Sequence, residues 1–162
     1  MTPRFFNAYY NISSYVGHPK ATQLVYEAVN QSFSPQDLRT FQADFGLPFT
    51  SNLSGDYFGG VETTGDICIS DIQSCAEANL DVQWMTAISQ YPTKTFLFYD
   101  NVTTDITLAV EWIQFLADLT DPPLVISVSY GADEASIANV VDLFNIEFIK
   151  VALFICPPNS SF

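Results

Sequence analysis

Residues 21–28, ATQLVYEA, alternate apolar and polar positions near period two and predict a strand. Ser34-Pro35-Gln36-Asp37 then opens a helix over LRTFQADFG: Ser34 can cap it, Pro35 suits its first turn and Asp37 favours its positive end. Gly46 and Pro48 stop that helix. From Thr50 to Asp66, Gly55, Gly59, Gly60 and Gly65 stand among Ser, Asn and Thr and predict a long surface loop. Helical spacing resumes over 76–89, where Leu80, Trp84 and Ile88 recur every four residues as a core stripe. TFLFY at 95–99 predicts a buried strand, 105–119 a helix, and LVISVS at 124–129 a second buried strand broken by Gly131. Residues 133–150 predict one long helix, acidic at its start and basic at its end, and VALFIC at 151–156 reads as half of a further strand. Strands alternating with helices predict an α/β fold, a mostly parallel sheet with helices on both faces. With no internal repeat, charged run or linker, one domain is expected.

Composition sharpens this picture. The 162 residues hold 48% hydrophobic and 14% charged residues, which excludes intrinsic disorder. Five Lys and Arg against 18 Asp and Glu give a formal charge of −13, and the basic residues are scattered, which excludes nucleic acid as a partner. No apolar run approaches the roughly 18 residues that span a bilayer, so no membrane partner is expected either. His18 is the only histidine, so neither a histidine-based triad nor a histidine-rich metal site can be assembled. Asp100, Asp105, Asp133 and Glu134 lack the spacing of a calcium loop, and no metal is expected. Cys68 and Cys75 are close enough in sequence to pair in an oxidising compartment, which leaves Cys156 over. Asn-x-Ser/Thr sequons occur at Asn11, Asn30, Asn52, Asn101 and Asn159 and lean towards an extracytosolic protein, although a chain rich in these residues also forms them by chance. Met1-Thr2-Pro3-Arg4 lacks an apolar signal core, so the expectation is a chain that has lost its natural beginning.

The candidate chemistry lies in the helix over 76–89. Glu77 and Asp81 are four apart, so both carboxylates project from nearly the same face. Like charges so placed push one carboxyl up and let the pair share a proton, which leaves one able to act as base beside an acid. On a solvated helix face the same spacing only costs a few tenths of a kcal/mol.

EANLDVQW at 77–84, followed by PLVISVSYGADE at 123–134, resembles the sedolisin or serine-carboxyl peptidase family, in its tripeptidyl-peptidase I-like form. That family places a Glu and, four residues later, an Asp followed by Val-Gln-Tyr on one helix. This chain has Glu77, Asp81, Val82, Gln83 and, in place of the tyrosine, Trp84. The family strand ends Ser-x-Ser-Tyr/Trp-Gly with a Glu close behind, matched by Ser127, Ser129, Tyr130, Gly131 and Glu134. The opening Thr2-Pro3 with Tyr10-Asn11-Ile12 is similar to the start of the family's mature domain. The resemblance implies a subtilisin-like parallel sheet and acid-acting proteolysis. In it Glu77 takes the proton of a nucleophilic serine, Asp81 orients Glu77, and the backbone around Ser129, Tyr130 and Gly131 pairs with a peptide or protein substrate. It also implies an extracellular, lysosomal or vacuolar location.

After Lys150 the text departs from the family. The Ser-Gly-Asp-Ser-Gly segment with the oxyanion Asp, the Gly-Thr-Ser nucleophile block and the C-terminal calcium site have no counterpart here, so no cofactor is expected in this chain. Residues 1–150 are therefore expected to form the N-terminal part of a truncated sedolisin-type domain, inactive alone, with 151–162 a divergent tail. The alternative is a non-catalytic pseudopeptidase, or a fragment that binds peptide or another partner.

Overall fold

The structure, a computed structural model, describes residues 1–12, 20–29, 31–49, 57–58, 65–89, 94–99, 108–131 and 133–155. Helix α1 (Pro3–Tyr9) opens the chain, with the Thr2 hydroxyl accepting from the Phe5 N–H. It is followed by β1 (Thr22–Glu27), α2 (Pro35–Asp44), β2 (Tyr57–Phe58), α3 (Gly65–Ser70), α4 (Ala76–Ser89), β3 (Lys94–Tyr99), α5 (Leu108–Asp118), β4 (Val125–Val128) and α6 (Val141–Ile155). Short 3-10 turns at Ile72–Ser74 and Glu134–Ile137 precede α4 and α6. At α2 the Ser34 hydroxyl accepts from the Asp37 N–H at 3.2 Å, the cap that the sequence motif predicts.

The strands form a parallel sheet in the order β2-β3-β1-β4. Strand β1 is central, pairing Leu24 with Phe96 of β3 on one side and with Ile126 of β4 on the other. Its side chains alternate between two cores. Leu24, Tyr26 and Ala28 pack with Trp112, Ile113 and Leu116 of α5 and Val151 of α6. Val25 packs with Leu38 of α2, Ala78 and Val82 of α4 and Leu97 of β3. The sheet is thus covered by helices on both faces, as the alternating pattern predicts. Gln23 points to the α4 side, where its Nε2 donates to Ser89 Oγ at 3.1 Å and Thr95 Oγ1 at 2.8 Å. No helix of the described residues is long and apolar enough to cross a membrane.

Four local expectations are corrected. The loop expected over 50–66 contains β2, whose Tyr57 and Phe58 pair in parallel with Leu97 and Phe98, and α3 already begins at Gly65. Ladder pairing there overrides a turn-rich composition. The single helix expected over 133–150 is divided, because the Ser136 N–H and hydroxyl both return to the Asp133 carbonyl and close a tight turn before α6 begins. The strand expected at 151–156 is instead the last turn of α6, which runs to Ile155 across the expected boundary at Lys150. Val151 is only 3% exposed and Phe144 packs on the same core, a spacing of seven that suits a helix and no strand.

The fourth correction concerns α4. Leu80, Trp84 and Ile88 do not form its core face; the buried residues are Ala78, Val82, Thr86 and Ala87. Small side chains let α4 approach the sheet closely, and the bulky stripe turns instead to an open groove of about 960 Å³ that also includes Phe6, Asp81 and Val125. Trp84 meets the Phe6 ring edge-on with centroids 5.1 Å apart.

Candidate functional site

Parallel strands bring their C-terminal ends to one edge of the sheet, where side chains from several strands and helices can meet. Here β1 ends in Glu27, β4 leads into Ser129-Tyr130-Gly131, and the first turns of α4 carry Glu77 and Asp81. The structure brings the two sequence motifs together: Ser129 Oγ donates to Asp81 Oδ2 at 2.6 Å. No hydrogen bond joins Glu77 to Asp81 among the described residues. Glu77 is half-buried, and its backbone N–H donates to Gln31 Oε1 at 3.0 Å.

The electrostatics centre on a residue that the sequence motifs did not single out. Glu27 is 2% exposed, and both its carboxyl oxygens lack a hydrogen-bond partner. Burial, reinforced by the charges of Asp81 and Glu77, pushes its carboxyl up from 4.5 to about 9, so it holds a proton through the acid and neutral range. Burial also raises the Asp81 carboxyl; the Ser129 hydroxyl pulls it back and the Glu77 charge adds to the rise. The Tyr130 hydroxyl, buried without a hydrogen-bond partner, is pushed up to about 12, chiefly by burial, with the nearby Ala28 backbone lowering it and Glu27, Glu77 and Asp81 raising it further. The Tyr130 ring sits edge-on to Tyr26 at 5.6 Å, which seats this residue against the sheet. In the sequence Glu27 reads as the polar partner of an alternating strand; its burial follows from the central place of β1, where an acid is rare without a functional or paired role.

The remaining predicted residues fall as follows. Gly131 is exposed, and a Cβ added there would meet nothing within 4 Å, so the space around it does not require glycine. The Sγ atoms of Cys68 and Cys75 are bonded, with Cα atoms 5.4 Å apart. That link joins α3 to the residue immediately before α4. Asn11 is exposed in the turn after α1, in the left-handed region at φ 56°. Asn30, Asn52, Asn101, Asn159 and Cys156 lie outside the described residues. Among the described residues no group of three or more His, Cys, Asp or Glu could hold a metal ion.

The fold and this edge define an α/β protein with a parallel sheet and a cluster of carboxylates at the strand ends. No protein-family model matches the sequence. Among solved structures the chain is similar to Pseudomonas sedolisin, a serine-carboxyl proteinase complexed with two molecules of pseudo-iodotyrostatin, at a TM-score of 0.68 and 18% identity. The likeness covers 93% of this chain and 41% of that one, so the chain spans less than half the length of the protein it matches. It shows that the α/β fold is similar to part of the sedolisin fold.

Proposed function

We propose that this chain supplies the carboxylate pair of an acid-acting serine-carboxyl peptidase. The observation that carries the reading is the meeting of Ser129 with Asp81, beside Glu77 and the buried Glu27, at the C-terminal edge of a parallel sheet. In this reading Glu77 takes the proton of a serine hydroxyl as it attacks the scissile carbonyl, and Asp81 orients Glu77. Glu27, protonated and buried, keeps a third negative charge out of the site while Glu77 works as a base. A carboxylate base operates in acid, where the net charge of −13 is also relieved. The backbone at Ser129, Tyr130 and Gly131, which follows β4, pairs with a peptide or protein substrate as an added strand. The nucleophilic serine, the oxyanion acid and any calcium site belong to polypeptide outside these residues.

Tripeptidyl-peptidase specificity, a secreted or lysosomal location and glycans on Asn11, Asn30, Asn52 and Asn101 belong to the same proposal. They rest on the motif resemblance and the sequons.

The test joins residues 1–155, which keep α6 whole, to the part of Pseudomonas sedolisin that lies beyond the matched region and assays peptide hydrolysis between pH 3 and 6. The reading expects acid activity that falls at least about 100-fold in Glu77→Gln, and none from the 162-residue chain alone. A chimera indifferent to Glu77→Gln would show that the pair is misassigned.

A further inference from the structure

We propose that Gln31 is a positioning residue for Glu77: its side-chain oxygen caps α4 from the loop after β1 and so ties Glu77 to the strand end that carries Glu27. Gln31 Oε1 accepts from the Glu77 N–H at 3.0 Å and from the Ala78 N–H at 3.4 Å, the two amides that a helix cap satisfies. The chain's own cap position cannot do this. The residue before α4 is Cys75, whose sulfur is bonded to Cys68. The acceptor therefore comes from 46 residues earlier in the sequence.

The loop that presents Gln31 is built for the purpose. Gln31 lies only four positions after Glu27, and the Gln31 N–H donates back to the Ala28 carbonyl at 3.0 Å, closing a sharp turn. Within that turn Val29 adopts φ 58°, a left-handed conformation that a β-branched residue takes only at a cost. Further bonds sew the loop to the helix start. The Ser32 N–H donates to the Ser74 carbonyl at 3.1 Å, the Ser34 N–H to Asn79 Oδ1 at 2.8 Å, and Asn79 Nδ2 to Asp37 Oδ2 at 3.0 Å.

The choice of an amide follows from the surroundings. Helix starts favour Asp or Ser as caps, yet a carboxylate here would add a negative charge beside Glu27 of β1 and Glu77 and Asp81 of α4. The nearby groups from other elements are Tyr130 after β4 and Asp37 of α2, and neither is cationic. Glutamine supplies the acceptor without the charge.

The role of Glu77 as a base rests on the peptidase reading, but the test measures no hydrolysis, so failure of that reading leaves the positioning by Gln31 intact. The full 162-residue chain is prepared as wild type, Gln31→Ala, Gln31→Asn and Gln31→Glu. Amide hydrogen exchange and the titration of carboxyl carbons are then read by NMR. Gln31→Ala, and Gln31→Asn with its shorter reach, are expected to speed exchange at Glu77 and Ala78 about fivefold while Val82 to Ala87 stay unchanged. In both variants the midpoints of Asp81 and Glu27 move down, because Glu77 is no longer held beside them. Gln31→Glu keeps the acceptor, so the two amides stay protected, and the same midpoints move up. Unchanged exchange at Glu77 and Ala78 overturns the proposal. So does acceleration spread evenly along α4, or faster exchange with both midpoints unmoved. If Gln31→Ala and Gln31→Asn do not fold, Gln31→Glu decides the matter: protection kept with raised midpoints supports the proposal, and protection lost overturns it.

Discussion

The Ser129 hydroxyl donates a 2.6 Å hydrogen bond to the Asp81 carboxylate, joining residues 48 positions apart. It links the end of the sheet's β4 strand to the second turn of α4. Because the bond stabilises the ionised form, removing it removes the one influence that lowers the Asp81 carboxyl. Ser129→Ala is therefore expected to raise the Asp81 midpoint further, read from its carboxyl carbon by NMR. An unchanged or lowered midpoint would show that the bond does not form in solution.

Glu27 dictates a pH dependence of stability. Its carboxyl is raised from 4.5 to about 9, so between those values the folded chain holds a proton that the unfolded chain releases. Its penalty is absent below about pH 4.5 and grows as pH rises towards 9, by up to roughly 1.4 kcal/mol per pH unit. Glu27→Gln should leave stability near pH 4 almost unchanged and raise it increasingly from pH 5 to 8. Thermal unfolding of both proteins across that range checks this, and parallel Tm curves would contradict it.

The bond between Cys68 and Cys75 closes a loop with a sequence separation of 7, just ahead of α4. A loop of that size is worth about 2 kcal/mol through its effect on the unfolded chain. Of the three cysteines, only Cys156 should react as a thiol in unreduced protein secreted by a eukaryotic host. Reduction should lower the unfolding free energy by about the stated amount. Three reactive thiols in the secreted protein would contradict the prediction.

Strand β4 pairs with β1 on one side, and among the described residues no strand pairs with its other side. Val125 is 56% exposed and Val128 41% exposed on that strand, while Ile146 and Ile149 of α6 are also exposed. An apolar open edge recruits further strands. Self-association in sedimentation velocity is expected at micromolar concentration, and Val125→Lys should reduce it without altering the circular dichroism spectrum. A wild-type chain that is monomeric throughout would contradict this.

The sheet and its layers were legible in the sequence because the strand and helix periods are strong and alternate along the chain. The cap at Ser34 was legible because its chemistry is local. Glu77 and Asp81 were found through their spacing on one helix, and Ser129 through a motif that the fold carries to Asp81. Other features depend on tertiary placement. VALFIC has strand propensity residue by residue, but Val151 joins the core at helical spacing from Phe144 and the helix continues. Leu80, Trp84 and Ile88 have the periodicity of a core stripe, yet the smaller Ala78, Val82 and Thr86 make the closer contact with the sheet. Glu27 reads as the polar partner in an alternating strand. Only the central position of β1, covered on both sides, turns it into a buried acid.

The account stands on Glu27, Glu77 and Asp81 forming one coupled cluster at the sheet edge, and a titration of the carboxyl carbons in wild type and Glu77→Gln tests that most directly. The wild-type chain is expected to show Glu27 titrating at about 9 and Asp81 above the ordinary aspartate value of 3.8, with both midpoints falling in Glu77→Gln because a neighbouring negative charge is gone. Glu27 titrating near 4.5, with Asp81 indifferent to Glu77→Gln, would contradict the account.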